Sequence, residues 1–148
     1  MKKILWSIRT KILSLISCKT VGARALVISG DQILLVKHTY ISKWHTVGGA
    51  VDKGETPVQA VQRELLEEVG ITCLSPPKLI SVYYNNFEKR DDYVILYIVK
   101  HFTQKNVISS EILESQWFPL LQLPFDTSAA TQRRVEEFLG IRELSENW

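Results

Sequence analysis

A chain of 148 residues, 45% hydrophobic and 23% charged, has room for one domain around a single core and is too short for two comfortable ones. A net charge of +2 favours no particular partner and gives no sign of a nucleic-acid-binding surface. Cys18 and Cys73 have neither metal-binding spacing nor the look of a disulfide framework, and they read as free thiols in a reducing compartment.

Residues 1–20 form a segment of their own ahead of a domain spanning 21–148. Leu5, Ile8, Ile12, Leu15 and Ile16 would line one side of a helix, with Lys2, Lys3, Arg9 and Lys11 mostly elsewhere. Such a helix can pack on the domain or a second subunit, giving a homodimer, or rest weakly on a membrane surface through residues 1–19. Arg9 and Lys11 cut the apolar run too short for a secretory signal, so the expected location is the cytoplasm.

Two strands follow, Gly22 to Ser29 and Gln32 to His38, joined at Gly30-Asp31 by a Gly-first hairpin turn. Arg24 in the first strand is a candidate phosphate contact, with Lys37, His38 and Arg90 as weaker ones. Trp44 leads through a short strand to the paired glycines Gly48-Gly49. A helix then starts with Thr56 as N-cap, Pro57 in the first turn and Gln59 completing a capping box, and it stops at Gly70. Val58, Val61, Leu65 and Val69 make its buried stripe. Glu64, Glu67 and Glu68 fall at i, i+3 and i+4, so their carboxylates are expected to converge on another face. Like charges placed so destabilise a bare helix, and a hard divalent cation with oxygen ligands would give them a purpose. Arg63 stands where it can orient Glu64 or pair with Glu55.

Beyond the helix, strands are expected from Leu79 to Phe87 and from Asp92 to Phe102, with Glu88 to Asp91 as the turn. The run Tyr93 to Val99 reads as a central strand covered on both faces. A polar loop, Thr103 to Glu114, leads to a short strand, Gln116 to Pro119. A last helix runs from Thr127 or Ser128 to Leu139.

Gly49, five residues, Glu55, seven residues, Arg63-Glu64-Leu65, one residue, Glu67-Glu68, one residue, Gly70-Ile71 resembles the Nudix box, and sequence from about Gly22 to Gly140 resembles the Nudix domain. Thr46-Val47 departs from the Leu-Pro often found before the glycines. The resemblance implies an α/β/α sandwich with a mixed sheet. It also implies Mg²⁺-dependent (or Mn²⁺-dependent) hydrolysis of a pyrophosphate bond in a nucleoside diphosphate linked to another moiety. Glu64, Glu67 and Glu68 would hold the cation with the Gly48 carbonyl, while Gly49, Glu55 and Gly70 would shape the box and Arg63 would serve the catalytic group. The general base is either Glu64 or a late-loop glutamate, for which Glu111 stands ahead of Glu114. Trp44 and Tyr84 are the candidate stacking residues, with Tyr40, Tyr83 and Phe87 behind them. The other reading is a catalytically silent nucleotide-binding or regulatory module of the same fold.

Overall fold

The computed structural model describes residues 19–86 and 91–148. The basic N-terminal segment up to residue 18, and the candidates Phe87 and Arg90, therefore lie outside the described residues. Among those described, no helix is long and apolar enough to cross a membrane.

The hairpin forms as expected from β1 (Thr20–Ser29) and β2 (Gln32–His38), with Gly30 at φ 59° in the turn. β3 (Ile41–His45) pairs with β2, and β4 (Val47–Ala50) returns antiparallel to the first half of β1. Helix α1 (Pro57–Val69) follows, then β5 (Ile71–Cys73), β6 (Lys78–Asn85), β7 (Asp92–Val99), β8 (Phe102–Gln104), β9 (Ile112–Pro119) and α2 (Ala129–Phe138). The central order β3-β2-β1-β7-β6 is mixed, because β1 and β7 run parallel while the other pairs are antiparallel.

Alternation along the strands divides the core in two. Ala23, Ala25, Val27, Leu34 and Val36 face α1 and meet Val61, Leu65 and Val69 of its stripe. Leu26, Ile28, Ile33 and Leu35 face the other way and meet Val135 of α2. The result is a sheet between two helices, the expected α/β/α sandwich.

Two elements differ from expectation. Phe102 leaves the central strand and joins β8, which pairs with β5 in a separate two-stranded sheet. The last strand begins at Ile112 rather than Gln116 and runs antiparallel to β2, so Glu114 belongs to a strand and not to a loop. Its polar residues hid it, since Glu114, Ser115 and Gln116 are solvent-exposed and only the backbone ladder holds them.

Behind α2, Arg134 is fully buried and donates to Glu137 Oε1 (2.8 Å) and to the Asn147 carbonyl (3.0 Å). Glu137 also accepts from the Tyr83 hydroxyl (2.8 Å) and the Ser145 N–H (3.1 Å). This cluster ties residues 145–148 to α2 and β6. Replacing Glu137 with Ala strands the guanidinium in the core, and thermal unfolding should show a loss of roughly 3–5 kcal/mol; a loss below about 1 kcal/mol, the scale of a surface pair, would contradict that role.

Candidate active site

The helix cap is built as its residues dictate. Thr56 Oγ1 accepts from the Gln59 N–H (3.2 Å), Gln59 Oε1 accepts from the Thr56 N–H (2.8 Å), and Gly70 closes the helix at φ 69°. These caps fix α1 in register against the loop from β4, and Arg63 joins the two. Its Nε and Nη2 donate to the two oxygens of Glu55 (2.9 and 3.0 Å), Nη1 to Glu64 Oε1 (2.8 Å) and Nη2 to the Ala50 carbonyl (3.1 Å). Nη1 is also 3.4 Å from Glu67 Oε2. The bond from Arg63 holds the Glu55 carboxyl below the usual range, and Glu55 in turn keeps the guanidinium protonated. Arg63 thus makes both of the contacts that its place suggested, to Glu64 and to Glu55.

The paired glycines make room for the acids. A Cβ on Gly48, which has φ 130°, would collide with the Ala23 carbonyl. One on Gly49 would come within 2.5 Å of Glu64 Oε1. The Gly48 N–H donates to Glu68 Oε2 (3.0 Å). Glu68 is 6% exposed, and burial pushes its carboxyl up to about 7 despite that bond.

The three glutamates do not yet converge. Glu64 and Glu68 turn inward while the Glu67 side chain remains 60% exposed, and among the described residues no three His, Cys, Asp or Glu side chains form a ready cation cage. Helical geometry accounts for this, since positions i and i+4 lie about 40° apart but i+3 lies about 60° to the other side. The donor set nevertheless suits a hard divalent cation. It is all oxygen, with one carboxyl buried and bonded only to the Gly48 N–H and another exposed at the surface.

Around this centre lie Arg24, His38, His45 and Glu111. Arg24 Nη1 donates to the Thr46 carbonyl (3.2 Å), and its charge lowers the pKa of both histidines and opposes the rise at Glu68. His45 is lowered to about 4, mainly by burial, so both rings are neutral at pH 7. His38 Nδ1 is 3.9 Å from Glu68 Oε1 and, like His45 Nε2, is buried without a partner. Nothing in sequence spacing announces the approach of His38 to Glu68, since it joins β2 to α1 across the fold. Glu111 is exposed at the entry to β9, tied by its carbonyl to the Thr39 N–H (2.9 Å), and its charge acts on both His38 and Glu68.

Two stacking candidates are displaced. Trp44 is 4% exposed, edge-on to Phe118 (4.8 Å) and capped by Lys37 Nζ (4.7 Å), so its ring is core with no face open to a base. Lys37 is itself paired with Asp126 (2.7 Å). Tyr84 points to the opposite face of β6 from Tyr83 and Asn85, and its hydroxyl donates to Asp91 (2.9 Å). Tyr83 is buried against α2, and only Tyr40 of the tyrosine candidates lines a cavity beside the site. A larger cavity of about 600 Å³, between Lys78, Lys100 and Phe138, includes none of the box residues.

A profile of the NUDIX domain matches residues 19–139. The chain belongs to the NUDIX family. Among NUDIX relatives, the 8-oxo-dGDP phosphatase NUDT18 of Mus musculus is 30% identical over 123 residues, covering 77% of this chain and 34% of that protein. A putative 8-oxo-dGTP diphosphatase of Bacillus subtilis is 43% identical over 65 residues, 43% of each chain. The chain thus spans about a third of the NUDT18 relatives and less than half of the bacterial one. The crystal structure of a MutT NUDIX hydrolase from Burkholderia pseudomallei superposes with a TM-score of 0.71 at 27% identity, over 80% of this chain and 97% of that one.

The buried carboxyl has a consequence for the metal-free NUDIX domain. Because Glu68 in the fold holds its proton up to about pH 7, against an ordinary value of 4.5, its contribution is fully present below 4.5 and is lost as pH rises through 7. In chelator, the stability of the wild type should fall across that window by roughly 2–3 kcal/mol relative to Glu68→Gln. Parallel melting curves for the two proteins from pH 4.5 to 8 would count against the burial.

Proposed function

We propose that this chain hydrolyses a pyrophosphate bond in a nucleoside diphosphate linked to another moiety, with a divalent cation, Mg²⁺ or Mn²⁺, held by Glu64, Glu67 and Glu68. The observation that carries the reading is the buried Glu68 carboxyl, 6% exposed and bonded only to the Gly48 N–H, beside a half-buried Glu64 that Arg63 holds in place. Breaking a phosphoanhydride requires charge on the phosphate oxygens to be neutralised and a water to be activated. When bound, the cation would supply the first and lower the pKa of a coordinated water.

The chain's own residues divide the remaining work. Arg63 fixes Glu64 and ties the β4 loop to α1 through Glu55 and the Ala50 carbonyl. That prevents the acids from rearranging as charge develops. Arg24 bonds to one carbonyl through Nη1 and brings a guanidinium to the cleft for a phosphate of the substrate. Glu111, exposed and near enough for its charge to act on Glu68, is the late-loop candidate to take the proton from water; Glu64 is the alternative within the box. The chemistry named for NUDT18 of Mus musculus and for the Bacillus subtilis protein makes oxidised purine nucleotides the first substrates to assay.

Release of phosphate or nucleotide should be measured over oxidised and ordinary nucleoside di- and triphosphates, ADP-ribose, dinucleoside polyphosphates, NADH and nucleotide sugars. Turnover of at least one compound is expected with Mg²⁺ or Mn²⁺ and none with chelator. Glu67→Gln and Glu68→Gln should each lose turnover by orders of magnitude while circular dichroism stays native. Near-wild-type turnover in both variants would mean that the cation lies elsewhere, and silence across the panel would favour a binding module.

A further inference from the structure

Two cavities flank Arg24, one of about 400 Å³ and one of about 300 Å³. The smaller reaches Gly49 and Ala50, which touch Glu64 and Arg63, and so opens on the proposed reaction centre. The larger runs outward past His38, His45 and Arg133. They share three walls: Arg24, Asn85 and Trp148. A substrate with phosphates at the acids and its remainder in the outer cavity would have to pass this shared wall.

Trp148 is held as a prepared surface. Its N–H donates to the Tyr84 carbonyl (2.9 Å), and its carbonyl accepts from Arg133 Nη2 (2.7 Å). Its indole packs edge-on to Tyr83 (5.5 Å) and lies 5.3 Å from the Arg134 guanidinium, whose own place is fixed by Glu137. The residue is half-buried and lines both cavities. A rigid, partly exposed aromatic at the side of a cation-lined cleft is what a stacking platform requires. Asn85, also half-buried, donates to Asp92 Oδ2 (3.4 Å) and brings an amide with donor and acceptor groups to the same wall.

We propose that Trp148 and Asn85 form the nucleoside-binding wall of this site, with the base of the substrate stacked on Trp148 and its polar edge read by Asn85. The assignment deepens the hydrolase reading and rests on it for the placement of the phosphates alone. It puts specificity on residues 145–148 and the end of β6, outside the box, where Arg133 and Arg134 anchor the wall from behind.

The test is calorimetric binding of dGMP to the full chain in chelator, with inorganic pyrophosphate as the control ligand. Trp148→Ala and Asn85→Ala should each weaken dGMP roughly tenfold or more, leave pyrophosphate unchanged, and Trp148→Phe should recover most of the loss. Should Trp148→Ala melt early through loss of packing on Tyr83, Asn85→Ala alone decides. Wild-type dGMP affinity in Asn85→Ala, or an equal loss for dGMP and pyrophosphate, overturns the proposal. The assay needs neither cation nor turnover, so an inert protein that still binds dGMP through Trp148 would sink only the hydrolase reading. Full hydrolysis of a nucleotide with unchanged KM in Trp148→Ala would sink only the wall.

Discussion

The guanidinium of Arg63 binds both oxygens of Glu55, one of Glu64 and the Ala50 carbonyl, and the rest of the site is arranged around that contact. Ala50 ends β4 and Glu55 belongs to the loop between β4 and α1, whereas Arg63 and Glu64 lie in the middle of the helix. One planar cation with five donors can join these three partners because its geometry is a fixed fork. A lysine in that place would offer a point charge and lose the paired contact with Glu55. The fold brings the partners together through the caps of α1 and through β4, which is held antiparallel to β1 by the register Arg24↔Gly48.

Against that fixed frame the acids occupy unequal environments. Glu68 is buried, accepts one bond from the Gly48 N–H and lies 3.9 Å from a neutral His38. Glu64 is restrained by Arg63, and Glu67 is largely in water. An unpaired carboxylate in an apolar setting is costly, and protonation relieves the cost where a cation does not. The buried Glu68 carboxyl is therefore a built-in disadvantage for the bare helix. The β1, β2 and β4 strands behind it carry no such burden: Ala23, Ala25, Val36 and Val47 pack there without polar atoms in their side chains.

How much of this was legible in the sequence depended on whether the signal was local. The α1 caps, the Gly30-Asp31 turn, the β7 run and the Ser128 start of α2 are each set by neighbouring residues, and each appears where the sequence placed it. The box itself is a spacing, and spacing survives in a one-dimensional reading. Contacts across the fold did not. Trp44 has the composition of a stacking residue, but Phe118 and Lys37 enclose it, Lys37 brought near by the pairing of β3 with β2 and Phe118 by that of β9 with β2. Tyr84 and Asn85 exchange roles because adjacent strand residues face opposite ways. Trp148 reads as part of a polar terminal stretch, and only long-range bonds, those joining Asn147 and Ser145 to Arg134 and Glu137 and those joining Trp148 itself to Tyr84 and Arg133, bring it to the cleft. The convergence of three glutamates was expected from their i, i+3 and i+4 spacing, but i+3 lies about 100° around the helix from i+4, which leaves Glu67 in solvent while Glu64 and Glu68 turn inward.

Glu64, Glu67 and Glu68 are proposed as three sides of one cation site whose frame is Arg63. Anomalous diffraction at the manganese edge from crystals grown with Mn²⁺ tests it most directly. The account predicts a peak bounded by these three carboxylates, with Glu67 drawn in from solvent and the Arg63 contacts to Glu55 unchanged. A peak at other residues, or an occupied site with Glu67 still in solvent and Arg63 released, would contradict it.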